Sequence, residues 1–184
     1  MRIAIITRFS YRNNYGQRLQ NIALVQYLKK IYKTDEIYTF VYGDMKGDPI
    51  IINSDVENKF LKTIPFNPFK KESFNNYDLY VFGSDQVFNF SYGDSKIKND
   101  FFNGNLFVEN GCKHLITYAV SDCLKIEEYK NKIVKNFPCI SFREKDSYTY
   151  YNINNSTYNI DPVFLMNLNF WTDLEKKTRI YKRW

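Results

Sequence analysis

The chain has 184 residues, of which 44% are hydrophobic, 25% charged and 18% aromatic. This length predicts one domain that buries roughly 70% of its unfolded surface without a staple, and the composition excludes a disordered tail, a collagen-like rod and a small disulfide scaffold. The net charge is +6, but apart from Lys70-Lys71 and the stretch from Lys176 to Arg183 the basic residues are scattered, which favours solvated surface charge over a nucleic-acid footprint.

Residues 2 to 7 read as a buried strand, since their apolar run is too short for a signal peptide. The polar run Ser10-Tyr11-Arg12-Asn13-Asn14-Tyr15-Gly16 follows. Residues 17 to 32 then carry the period of a helix, with Ile22, Val25, Leu28 and Ile31/Tyr32 on its apolar face. A second strand is expected over 36 to 42, a short helix over 55 to 62, and a third strand over 78 to 82 that runs into Gly83-Ser84-Asp85-Gln86. Residues 90 to 112 suggest a long surface loop. Strands over 114 to 120 and 139 to 142 flank a helix over 126 to 136, whose apolar side holds Ile126, Tyr129, Ile133 and Phe137. A helix begins near Arg143 to Asp146, a short strand covers 158 to 160, and 163 to 176 look mostly helical.

Strands alternating with helices predict an α/β fold: a Rossmann-like parallel sheet with helices on both faces. Such sheets bind ligands at the carboxyl ends of their strands. Residues 8 to 16, 83 to 89 and 120 to 123 are polar segments at positions of that kind.

The first of these loops offers Asn13, Asn14, Tyr15 and Gly16 ahead of a helix, with Arg8, Arg12 and Arg18 nearby. Free N–H groups at a helix start suit anions or hydroxyl oxygens, although the same four residues also serve as a cap and turn. No G-x-G-x-x-G or P-loop pattern is present, which argues against a nucleotide. In the second loop Gly83 permits a turn directly after a buried strand. Asp85, flanked by Ser84 and Gln86, suits gripping or deprotonating a sugar hydroxyl; the competing reading is a helix N-cap at Ser84 or Asp85. Arg143-Glu144 and Asp161-Pro162 read as ion-pair and turn chemistry. With His114 as the single histidine, neither a catalytic triad nor a zinc site is indicated. Cys112, Cys123 and Cys139 have no ligand-like spacing and read as reduced, partly buried thiols. Trp171 and Trp184 are candidates for stacking on sugar rings, though core packing is the commoner use.

Taken in order, several of these segments resemble the polysaccharide pyruvyl transferases. The resemblance lies in Asn13-Asn14-Tyr15-Gly16-Gln17-Arg18-Leu19-Gln20, in Tyr77-Asp78, and in Gly83-Ser84-Asp85-Gln86-Val87-Phe88-Asn89. It continues through Thr117-Tyr118-Ala119-Val120-Ser121, Ile140 to Asp146, and Asp161-Pro162 followed by Trp171. It implies the N-terminal half of a GT-B-like fold and transfer of a pyruvyl group from phosphoenolpyruvate onto two sugar hydroxyls as a ketal. The product would be an exopolysaccharide, capsule or cell-wall glycan, and the donor would be a substrate, with no cofactor or metal. On this resemblance Asp85 is the catalytic candidate, while Asn14, Tyr15, Gly16, Gly83, Ser84, Gln86 and Arg143 are substrate-binding candidates.

Two departures from the family pattern stand out. Phe88 replaces a tryptophan and is expected to keep a stacking face, and Asp122 is expected to reshape the crevice. The expected division is a Rossmann-like domain over 1–170 and a basic tail over 171–184, with the family's second domain absent. The expected partners are a glycan or glycolipid acceptor and a separately encoded second domain or another copy of the chain. No nucleic-acid partner and no membrane span are expected. The location implied is cytoplasmic, with the basic tail free to touch the inner membrane surface. Two alternatives remain open: a non-catalytic glycan-binding or partner-docking half-domain, and, with less support, a nucleotide-sugar glycosyltransferase.

Overall fold

The computed structural model describes residues 1–8, 15–42, 66–68, 76–89, 114–122, 125, 127–137 and 139–178. The expected short helix over 55 to 62, the expected loop over 90 to 112, and Asn13, Asn14, Cys112 and Cys123 lie outside these residues.

The first strand, β1 (Ile3–Arg8), leads into helix α1 (Tyr15–Tyr32), and the strands β2 (Ile37–Tyr42), β3 (Phe66–Pro68), β4 (Leu79–Phe82) and β5 (Leu115–Thr117) follow. All five pair in parallel, in the order β3-β2-β1-β4-β5. Beyond them come helix α2 (Glu127–Asn136), strand β6 (Ser141–Phe142), helix α3 (Lys145–Tyr151) and strand β7 (Thr157–Tyr158). Strands β6 and β7 also pair in parallel. Single bridges from Asp85 to Val120 and from Val120 to Phe142 join this pair to the larger sheet. The described strands therefore run 3-2-1-4-5-6-7 across a Rossmann-like sheet. Its order reverses between β1 and β4, where such folds open a crevice at the strands' carboxyl ends.

Alternation along the strands explains the layering, because successive side chains leave a strand on opposite faces. Ile3 and Ile5 of β1 and Leu79 and Val81 of β4 pack with Leu24 and Leu28 of α1. Ala4, Ile6, Tyr80 and Phe82 point the other way, into a cluster holding Ile133 of α2, Phe137 just after it and Tyr151 of α3. Both faces are covered, so Ile3–Ile6 of β1 and all four residues of β4 are apolar. Helix α1 is rotated slightly from the expected face. Leu24 is buried and packs on the sheet, whereas Ile31 is 50% exposed and Tyr32 is also exposed. Cys139 is exposed rather than partly buried, because it sits in the bend before β6.

Two positions departing from the family pattern turn out to be structural. Phe88 is 2% exposed. Its ring stacks on Phe82 and meets Phe137 edge-on, so it fills core space and offers no face to a sugar. Asp122 accepts a hydrogen bond from the Tyr151 hydroxyl at 2.5 Å and another from the Lys125 backbone N–H. Burial first, then Asp122, raises the Tyr151 pKa, so the phenol stays a donor. Asp122 thus anchors α3 through Tyr151 and Ser147.

The chain finishes its described course in a 3-10 turn at Pro162–Leu165 and helix α4 (Leu168–Thr178). Phe170, Trp171 and Leu174 of α4 pack on Leu19 and Ile22 of α1, so Trp171 is a packing residue. No helix among the described residues is long and apolar enough to cross a membrane.

Tyr151→Phe should lower stability by about 1–3 kcal/mol, the cost of leaving a buried acceptor short of its donor. Gly83→Ala should cost more, about 2–4 kcal/mol. Gly83 has φ +136°, and an added Cβ would lie 2.3 Å from the Tyr118 carbonyl oxygen. Urea midpoints at an unchanged denaturant slope measure both effects.

Candidate active site at the strand ends

The β4 strand stops at Phe82 because Gly83 turns the chain against the Tyr118 carbonyl. The Gly83 N–H is held by the Ile6 carbonyl and the Tyr118 N–H by the Phe82 carbonyl, so the turn is clamped between β1 and β5. Asp85 follows in the left-handed region at φ 73°, a conformation that aspartate tolerates better than most residues. Its carbonyl accepts from the backbone N–H groups of Val87 and Ser121. Val120 and Ser121 thereby support the backbone of Asp85. No helix follows Asp85 among residues 86–89, and its carboxylate is used across the crevice instead of as a cap.

Arg143 closes the site from the other side. It emerges directly after β6, where its backbone N–H binds the Val120 carbonyl. All three of its guanidinium nitrogens meet carboxylates. Nε donates to Glu144 Oε1 at 2.8 Å, Nη1 to Asp161 Oδ2 at 3.1 Å, and Nη2 to Asp85 Oδ1 at 3.3 Å. Burial opposes the charge on Arg143. The hydrogen bond and charge of Glu144, followed by the charges of Asp85 and Asp161, outweigh it and raise the pKa. The guanidinium therefore stays charged, and its planar fork fixes the directions of all three acids.

Helix α1 supplies the remaining contacts. Gln17 donates from Nε2 to Asp85 Oδ2, and Gln20 donates from Nε2 to Asp161 Oδ2. Gln20 also accepts from the Ser84 hydroxyl at 3.3 Å. The helix starts within one turn of these acids, where its dipole favours negative charge.

The site thus gathers Ser84, Asp85 and Arg143 from the sequence candidates, and Gly83 shapes the turn that presents the first two. Gln86 lies in the same turn, with its amide oxygen accepting from Asn89. Gly16 is exposed in the first turn of α1. Tyr15 opens that helix, and only its backbone is described; Asn14 lies outside the described residues. Arg18 is buried in α1. Sequence reasoning missed Gln17 and Gln20 as members of the cluster. Its ion-pair and turn reading of Arg143-Glu144 and Asp161-Pro162 matches the pairs that Arg143 makes with Glu144 and Asp161 and the Asp161 cap, but it did not bring Asp161 together with Asp85. One signal was available: two glutamines three residues apart at the start of an apolar helix share a face.

Tyr118 borders this cluster. Its phenol is pushed up to about 12, by burial first and then by Tyr27 and Asp161. An unfolded tyrosine titrates near 10, so the folded chain holds this proton more tightly. The stabilisation is complete below pH 10 and is lost as the pH rises through about 12. Tyr118→Phe should therefore flatten this part of the alkaline stability loss, as read from urea midpoints measured across that interval.

No curated protein and no solved structure matches the chain. The family model "Polysaccharide pyruvyl transferase" matches residues 14–184. That span includes the turn carrying Asp85, the Arg143 segment and the Asp161 segment, the same three stretches that meet at the strand ends. The chain belongs to the polysaccharide pyruvyl transferase family.

Proposed function

We propose that the crevice between Asp85 and Arg143 holds a sugar acceptor for transfer of a pyruvyl group from phosphoenolpyruvate, giving a cyclic ketal on a cell-surface glycan. The observation that carries this reading is the Asp85 carboxylate, 14% exposed and fixed by Arg143 and Gln17. It stands at the end of β4, next to the point where the strand order reverses.

The chemistry suits such a group. A proton delivered to the vinyl carbon of the donor makes it a methyl group and leaves C2 electrophilic. One sugar oxygen bonds to C2 as its proton passes to a base. The bond from C2 to the phosphate oxygen then breaks, phosphate departs with the electron pair, and a second sugar oxygen bonds to C2. Of the two hydroxyl protons released, one replaces the proton given to the vinyl carbon and the other leaves with phosphate. Asp85 is our candidate for accepting a hydroxyl proton. Ser84 holds Gln20 in place, while Gln86, Tyr15 and Gly16 belong to the segments flanking the crevice; Asn14 remains a substrate-binding candidate on the family motif alone. Arg143 keeps positive charge beside the reacting oxygens.

One observation favours a second reading, that this chain is the glycan-binding half of a larger catalytic unit. Among the described residues three carboxylates meet the single guanidinium of Arg143, so negative charge is in excess there. The phosphate and carboxylate of the donor need cations. A second domain, a separately encoded partner or another copy of the chain would supply them, in the cytoplasm or at the inner membrane surface.

Phosphate release from phosphoenolpyruvate in the presence of sugar diols tests the proposal. Asp85→Ala should reduce it by at least about 100-fold. Unchanged turnover removes Asp85 from the reaction, and glycan binding without phosphate release supports the half-domain reading.

A further inference from the structure

Asp161 follows β7 and precedes Pro162, and one of its oxygens accepts from the Val163 backbone N–H at 2.9 Å. That contact alone describes a cap on the 3-10 turn. The other oxygen does something different: Asp161 Oδ2 accepts from Gln20 and from Arg143 Nη1. The pattern duplicates the one at Asp85, which accepts from Gln17 on Oδ2 and from Arg143 Nη2 on Oδ1. Two glutamines one helical turn apart on α1 thus hold two carboxylates against the two terminal nitrogens of one planar guanidinium. The carboxylates are 14% and 19% exposed, so both are held firmly yet can be reached from the crevice.

Ketal formation consumes two hydroxyls of one sugar, and each must give up a proton. A carboxylate accepts and does not donate, with room for roughly four hydrogen bonds over its two oxygens. The contacts named above occupy two such positions on Asp85 and three on Asp161. A single carboxylate would leave the second hydroxyl without a matched acceptor. A pair at a spacing set by one guanidinium matches two hydroxyls on one ring.

We propose that Asp161 is a second acceptor-binding carboxylate, and that Asp85 and Asp161 each take one of the two hydroxyls that become ketal oxygens. This rests on the pyruvyl-transfer reading and extends it to the geometry of the acceptor: a 1,2- or 1,3-diol on one sugar unit, both hydroxyls free. Gln17 and Gln20 are positioning residues, acting through the carboxylates they hold. The excess of carboxylate over guanidinium among the described residues of the cluster suits hydroxyl donors better than it suits an anionic donor substrate.

The test uses the full chain and a panel of methyl hexopyranosides, each with free hydroxyls at positions 4 and 6, together with their 4-O-methyl and 6-O-methyl ethers. Binding is read by ligand-observed NMR titration. The unsubstituted chain should bind the best diol about tenfold more tightly than either ether, in line with a lost hydrogen bond to a charged group. Asp161→Asn preserves an oxygen for the Val163 cap, and Asp161→Ser retains a capping hydroxyl, so both variants separate capping from sugar binding. Each should lose about tenfold for the diol and no longer discriminate against one of the ethers. Asp85→Asn should lose discrimination against the other ether.

Diol binding and discrimination unchanged in both Asp161 variants overturn the inference alone, provided the unsubstituted chain binds the diol or releases phosphate with it. A loss by the Asp161 variants that is equal for the diol and both ethers also overturns it, because a purely structural aspartate would produce that result. An unsubstituted chain that neither binds any panel member nor releases phosphate with one overturns this inference and the pyruvyl-transfer reading together.

Discussion

The guanidinium of Arg143 ties together three parts of the chain. The turn after β4 reaches it through Asp85, the start of α3 through Glu144, and the segment after β7 through Asp161. The arrangement depends on delocalised charge in a rigid plane. A lysine ammonium would bring the charge but not the fixed fork. Part of the attraction offsets the cost of removing these charges from water. The gain is therefore one of position more than of stability, since three strand ends keep a fixed spacing around a small polar space.

The sheet makes this geometry available. In a parallel sheet every strand ends on the same side, so residues just past the ends of β4, β6 and β7 converge however far apart they lie in sequence. Gly83 is the steric condition for the most important of those ends. Its turn passes too close to the Tyr118 carbonyl to admit a side chain, and the polar residues after it are thereby swung toward α1. That helix contributes apolar residues to the sheet along most of its length and two glutamines to the site from its first turns. Packing and chemistry share one element, so the sheet's hydrophobic contacts also set where Gln17 and Gln20 sit.

Much of the fold was legible in the sequence because burial on both faces leaves a plain trace. The run from Ile3 to Ile6 and the run from Leu79 to Phe82 became strands, and the amphipathic stretch expected over 126–136 is a helix at Glu127–Asn136. The site was legible at Asp85, Ser84 and Arg143, where polar residues directly follow apolar strands. Phe88 and Asp122 misled for a related reason. An aromatic or an acid beside a site motif looks available, and only packing shows that Phe88 completes an aromatic cluster and that Asp122 receives the Tyr151 hydroxyl.

By itself the sequence determined the alternation of strands and helices, the parallel sheet that follows from it, and the family whose motifs it carries in order. These are local or periodic properties, written in neighbouring residues. Tertiary structure alone decided that Asp161 faces Arg143 and that Gln17 and Gln20 serve two different carboxylates. Asp161 and Asp85 are far apart in the chain, and no periodicity links them. They meet because β4, β6 and β7 run in the same direction and end on the same side of one sheet.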